Sequence, residues 1–244
     1  MKPSKILDIF DFYENTLYIK KSNTLVVSDL HIGLEYELRK KGGFQIPLNE
    51  ERLITNRLNK IIDRFQPDKI ILNGDILHSF SSLNYPVKEE FQSIFRPILR
   101  KNRKFIFIKG SHDTMIENLV KQEDLRNDFY VQNNILFTHG NYRIDLPSKI
   151  KYIVIGHEHP CVEINMEKIP CFLFKYELIK NTSLIILPAF NPLLEGVLIN
   201  NQNFTSPLLR KVSPDLFQPI ISIGMGEPFI FPRISELKSI EWNL

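Results

Sequence analysis

The stretch Thr24-Leu25-Val26-Val27-Ser28-Asp29-Leu30-His31 decides the fold class. Four β-branched or apolar residues run without a break, then stop at a serine, an aspartate and a histidine. A strand covered on both faces reads as such an unbroken run rather than as an alternation. The pattern returns in Ile70-Ile71-Leu72 before Asn73-Gly74-Asp75-Ile76-Leu77-His78, and in Phe105-Ile106-Phe107-Ile108 shortly before Gly110-Ser111-His112-Asp113. Tyr152-Ile153-Val154-Ile155 leads into Gly156-His157-Glu158-His159, and Thr138-His139-Gly140 adds a further polar group.

Working outward, the segment after the first strand predicts a helix. Ile54, Leu58, Ile61, Ile62 and Phe65 recur at helical spacing. Asn49 reads as its N-cap, Glu50 and Glu51 suit its first turn, and Pro67 lies just past its end. A second helix uses Val87, Phe91, Ile94, Phe95 and Ile98, with Pro97 predicting a kink or an early stop. Strands alternating with helices over two-thirds of the chain give an α/β class. Cys171 to Ile179, Leu184 to Leu187 and Val197 to Asn200 then read as sequential strands. Beyond about residue 205 the prolines Pro207, Pro214, Pro219, Pro228 and Pro232 predict extended edges and loops. The expected architecture is a sheet sandwich with helices outside.

Composition sets the outer limits. The 244 residues are 43% hydrophobic and 24% charged, the balance of a folded chain able to bury a core. We read residues 1–244 as one domain, with a motif-bearing core at about 24–200 and a C-terminal extension at about 201–244. Cys161 and Cys171 form no CxxC pair, so a reducing, cytoplasmic setting is expected. Met1 to Phe10 lacks an apolar signal core, and no stretch approaches the ~20 apolar residues that cross a bilayer. A net charge of +3 does not establish nucleic-acid binding. Arg39-Lys40-Lys41 and the basic run from Arg100 to Lys104 read first as solvated faces. Trp242 has two readings, a dimer anchor or a residue that closes the core, and the sequence does not separate them.

The chemistry lies at the strand ends. In an open α/β sheet, ligands collect beyond the carboxyl ends of parallel strands, so these fragments are expected to converge. Asp29 and His31 are two apart, as are His157 and His159; on an extended backbone each pair faces one way and can clasp one ion. Gly74, Gly110, Gly140 and Gly156 allow sharp turns beside them. All six histidines of the chain fall in these fragments. Imidazoles together with carboxylates suit manganese, iron or zinc.

Asp29-Leu30-His31, Gly74-Asp75, Gly110-Ser111-His112-Asp113, His139 and Gly156-His157-Glu158-His159, in that order, resemble the signature of the calcineurin-like metallophosphoesterases. His159-Pro160 and Leu187-Pro188-Ala189-Phe190-Asn191 further resemble the archaeal SbcD-related phosphoesterases. The resemblance implies a four-layer α-β-β-α sandwich of two mixed sheets flanked by helices. It implies two divalent transition-metal ions, manganese first, with iron or zinc as alternatives. Asp29, His31 and His159 would hold one ion, Asp75 would bridge, and His139 and His157 would hold the second. His112 would meet the phosphate and protonate the leaving oxygen, with Asp113 orienting it. His78, in Gly-Asp-x-x-His spacing, resembles a histidine that engages the scissile phosphodiester in SbcD nucleases. Ser111 departs from the pattern: the family has a metal-binding asparagine there, and serine is shorter and a weaker ligand.

The implied activity is hydrolysis of a phosphate ester by an activated water, foremost of a phosphodiester in DNA or RNA. Hydrolysis of a small phosphomonoester or nucleotide is the alternative, and a catalytically weak scaffold of the same fold the next. The chain is too short for the full capping domain and partner-binding segment of the repair nucleases. No Gly-x-x-x-x-Gly-Lys loop is present, so no ATP-driven motor is expected. The expected partner is a phosphate-ester substrate, nucleic acid included, with no membrane.

Overall fold

In the computed structural model, residues 3–42, 47–78, 85–99, 103–179, 181–199, 203–222, 224 and 226–238 are described. Strands β1 (Phe10–Tyr13), β2 (Thr16–Ile19), β3 (Thr24–Val27), β4 (Lys69–Asn73), β5 (Lys104–Ile108) and β6 (Leu125–Arg126) lie side by side in that order. β1 to β3 pair antiparallel and β3 to β6 parallel, which makes the sheet mixed. Glu14 and Asn15, both at positive φ, close the β1–β2 hairpin as a two-residue turn. Helices α1 (Leu34–Gly42), α2 (Glu50–Phe65) and α3 (Tyr85–Leu99) fill the connections around β3, β4 and β5.

The unbroken apolar runs are explained by their two neighbours. Leu25, Val27, Ile70, Leu72, Phe105 and Phe107 pack on Ile54, Leu58 and Ile61 of α2 and Phe91, Ile94 and Phe95 of α3. The alternate residues Val26, Ile71, Ile106 and Ile108 face inward against the second sheet. Each such side chain taken from water contributes about 1.5–3 kcal/mol.

The second half lays down β7 (Tyr130–Gln132), β8 (Ile135–Phe137), β9 (Tyr152–Ile155), a hairpin of β10 (Pro160–Ile164) and β11 (Glu167–Pro170), then β12 (Phe172–Ile179), β13 (Thr182–Ile186), β14 (Val197–Leu198), β15 (Gln218–Ile221) and β16 (Phe229–Ile230). Seven of them form the second sheet, ordered β16-β15-β12-β13-β9-β8-β7. It too is mixed, with β8, β9 and β13 parallel. Its inner face brings Phe137, Val154, Phe172, Phe174, Ile185 and Ile220 onto the first sheet. Its outer face carries Leu136, Ile153, Ile155, Leu173 and Ile186, covered by Leu209, Phe217 and Ile234. Ile234 opens the five-residue helix α4 (Ile234–Lys238), so this outer layer is thin and mostly irregular. The result is the expected α/β sandwich of two mixed sheets flanked by helices.

Several local expectations change. α2 begins and ends where its periodicity predicts, but Asn49 sits at φ 59 and its side chain makes no cap bond. The cap comes from α1 instead: the Glu35 carboxylate accepts from the amides of Leu48 (3.0 Å) and Glu50 (2.8 Å). Pro97 falls in the last turn of α3 and does not divide it. The strand expected at Val197 to Asn200 is two residues long and pairs with β10 in a separate three-stranded sheet, β11-β10-β14. β15 lies inside the second sheet rather than at an edge, despite Pro219. Trp242 and residues 100–102 lie outside the described residues.

Candidate metal centre

The carboxyl ends of β3, β4 and β5 in one sheet meet those of β8 and β9 in the other along a single rim. The crevice therefore belongs to both sheets. The backbone there is not extended. Asp29, His31, Asp75, His157 and His159 all take positive φ, at 57, 45, 46, 68 and 44°. Same-side alternation thus does not aim the pairs; left-handed turns do, and tertiary contacts hold them. The β3 tail continues its pairing past the strand: Asp29 N donates to Gly74 O (3.0 Å), His31 N to Asp75 O (2.9 Å) and Ile32 N to Ile76 O (2.9 Å).

Asp113 knots two of the turns together. Its fully buried carboxylate accepts from the amides of Gly110, Ile76 and Leu77, each at 2.9 Å. Its bearing on His112 therefore runs through the loop that carries both. Burial pushes Asp113 up to about 6 against the pull of those amides. Gly110 is required by space: a Cβ there would strike the backbone nitrogen and carboxylate of Asp75. Gly74, at φ 87, would strike the ring of His139.

Two Asp–His triads result. Asp29, His31 and His159 have one ligand atom each within 4.8 Å of the others, and so do Asp75, His139 and His157. His159 Nε2 lies 2.9 Å from Asp29 Oδ1. His139 Nε2 lies 3.1 Å from Asp75 Oδ2 and 3.3 Å from His157 Nδ1. His157 and His159 therefore go to different triads and do not clasp one ion, because left-handed turns on either side of Glu158 send the two rings apart. Glu158 is anchored behind them by the amides of Thr205 (3.1 Å) and Ser206 (2.6 Å). Asp75 also stands 3.8 Å from His31 Nε2, so it reaches toward both groups.

The donor set fits divalent cations. His31 Nε2 is buried with no hydrogen-bond partner and faces the carboxylates of Asp29 (4.0 Å) and Asp75 (3.8 Å). An orphaned ring nitrogen between two carboxylates is costly unless a cation completes it. The outer nitrogens are satisfied: His139 Nδ1 lies 3.2 Å from Asn73 O, a contact that favours keeping a proton on Nδ1, so Nε2, which faces Asp75, is the nitrogen that would give up its proton to a cation. His31 Nδ1 lies 3.0 Å from His78 Nδ1. Two like nitrogens at that distance need one proton between them. A cation on His31 Nε2 would require that proton to sit on His31 Nδ1, with His78 accepting it.

The charges balance within the cluster. Burial opposes protonation of His139, yet Asp75 and Asp29 outweigh it and push it up to about 9. Burial drives His31 down to about 3, and burial with the His139 charge drives His157 down to about 4. Burial alone would raise Asp29 and Asp75, but their histidine neighbours hold both low. Burial, foremost, lowers His78 and His112, whose rings stack with centroids 5.1 Å apart at the edge of the first triad.

Ser111 faces the bridging candidate Asp75. Its hydroxyl donates to the Asp75 carboxylate at 3.1 and 3.2 Å. Two buried asparagines escaped the sequence reading as site residues. Asn73 donates to Thr138 O (3.0 Å), stitching β4 to the end of β8. Asn191, after β13, donates to Leu30 O (2.8 Å). Asn73 at the end of the apolar strand β4 and Asn191 a few residues beyond β13 were the available signal.

The chain belongs to the calcineurin-like phosphoesterase family, whose model matches residues 22–216. This family comprises hydrolases that act on phosphate esters with divalent metal ions. Among solved structures, the chain is similar to the nuclease MPE of Pseudomonas putida, at 18% identity and a TM-score of 0.60, over 85% of this chain and 88% of that one. It also matches YfcE, a phosphoesterase from E. coli, at 13% identity and a TM-score of 0.40, over 74% and 84%. No curated protein matches the sequence. No helix among the described residues is long and apolar enough to cross a membrane.

Proposed function

We propose that this protein hydrolyses phosphodiesters, nucleic acids among them, with two divalent cations, manganese first. The observation that carries this is the pair of Asp–His triads on one rim, with Asp75 reaching toward both. Asp29, His31 and His159 would hold one ion, and His139 and His157 the other, with Asp75 between. When bound, such ions lower the pKa of a water and neutralise phosphoryl oxygens.

The chain's own residues do the rest. Asn73 O and His78 Nδ1 set the tautomers of His139 and His31. His112 is partly exposed beside Asp75, where its ring can hydrogen-bond a phosphoryl oxygen and hand a proton to the leaving oxygen. His78 stacks on His112 and offers its outer nitrogen to a second ester oxygen, which favours a diester over a monoester. Ser111 holds the Asp75 carboxylate in place. The free, buried Cys161 and Cys171 fit a reducing, cytoplasmic setting.

The test is manganese-dependent turnover of bis-p-nitrophenyl phosphate and labelled oligonucleotides, beside a monoester panel. Asp75→Asn is expected to lower diester turnover by about two orders of magnitude or more with the fold intact. Turnover of monoesters alone would refute the diester reading, and activity indifferent to Asp75→Asn would refute the metal reading.

A further inference from the structure

The backbone that carries Asp29 and His31 leaves the sheet in left-handed turns, so its carbonyls need partners from elsewhere. The segment after β13 supplies them. Phe190 N donates to Ser28 O (3.0 Å) and Asn191 N to Asp29 O (3.3 Å). Asn191 Nδ2 donates to Leu30 O at 2.8 Å, across 161 positions of sequence. The same amide nitrogen donates to Glu50 Oε1 (2.5 Å) at the start of α2. Glu50 Oε2 in turn accepts from Glu35 N (2.9 Å) at the start of α1. Asn191 Oδ1 accepts from Leu193 N (2.9 Å), so the amide cannot flip without losing bonds on both sides.

Glu50 and Asn191 are each 1% exposed. Burying a carboxyl with no cation against it lowers stability relative to an apolar side chain of similar volume. Its bonds run instead to the Glu35 amide and to Asn191, whose side chain also holds the first motif. We infer that Asn191 and Glu50 are positioning residues: through the Leu30 carbonyl they hold Asp29 and His31 at the distance from His159 that an ion requires. The inference rests on the metal reading above. Neither residue belongs to the two Asp–His triads.

The test is a Mn2+ titration of the full chain, read as two dissociation constants by calorimetry and electron paramagnetic resonance. Asn191→Asp keeps the size and removes the donor to Leu30 O. It is expected to weaken the Asp29–His31–His159 ion by about 10- to 100-fold while leaving the other ion's affinity within a few-fold. Leu58→Ala, in the core under α2, serves as the control: it lowers Tm without moving either constant. Glu50→Gln is the milder second variant, expected to weaken the same ion in the same selective way, and it decides the matter if Asn191→Asp does not fold. If the variant lowers Tm as the control does and leaves both constants unchanged, the brace is refuted alone. If the wild-type chain takes up no Mn2+, the metal reading falls and this inference with it.

Discussion

Glu90 of α3 offers a test of the helix junction that involves no metal. Its carboxyl hydrogen-bonds that of Glu50, and both line a cavity of about 500 Å³ with Glu35, Glu51, Glu89, Arg39 and Arg52. Burial first, then the carboxylates of Glu50, Glu51 and Glu35, push Glu90 up to about 8. In the unfolded chain a glutamate titrates near ~4.3. Between those values the folded state keeps a proton that the unfolded state has released. Stability is therefore fully present below about pH 4.3, falls as pH rises, and levels off above about 8. At about 1.4 kcal/mol per pH unit the span caps the effect near 5 kcal/mol. Glu90 keeps some contact with solvent and two arginines share its cavity, which reduces the effect to about 1–2 kcal/mol. Glu90→Gln keeps the shape and cannot ionise. Urea unfolding followed by circular dichroism should show it more stable than wild type by that amount near pH ~8.5 and nearly equal near pH ~5. Parallel stability curves for the two proteins between those pH values would refute the reasoning.

Two further outcomes are expected. Ser111→Asn should tighten the weaker of the two Mn2+ constants, since an amide oxygen reaches farther than the hydroxyl that now bonds Asp75; equal constants in both proteins would show that Ser111 costs the site nothing. Mn2+ at a hundred times its dissociation constant should stabilise the fold by about 2.7 kcal/mol, read as a rise in Tm that a chelator reverses, and an unmoved Tm would count against binding by the folded chain.

How much of this was legible in the sequence depended on range. α2 was readable because its five apolar positions encode one buried stripe, and the strands before Asp29, Asp75 and His157 because burial on both faces removes alternation. The motif residues were readable because all six histidines crowd into them. What failed was set by distant partners. Asn49 looks like a cap, but Glu35 of another helix takes that role. The left-handed turns at Asp29 and His31 are held by contacts with Gly74, Asp75 and Asn191, and those at His157 and His159 by contacts with Asp29 and Val197, which no local window contains. The resemblance implied that Asp113 orients His112; that its carboxylate also serves the neighbouring loops' amides was not legible in the sequence. β1 and β2 went unread, since two four-residue strands around Glu14-Asn15 carry little pattern.

One consequence follows from the rim's mixed ownership. Asp29 and His31 come from one sheet and His159 from the other; Asp75 faces His139 and His157 across the same seam. A cation seated in either triad would rivet the two halves of the chain to each other. Chelation would then do more than disarm the enzyme: it would unpin one edge of the sandwich, leaving that edge to the Phe and Ile side chains between the sheets and to the few hydrogen bonds that Asn73, Phe190 and Asn191 make across it.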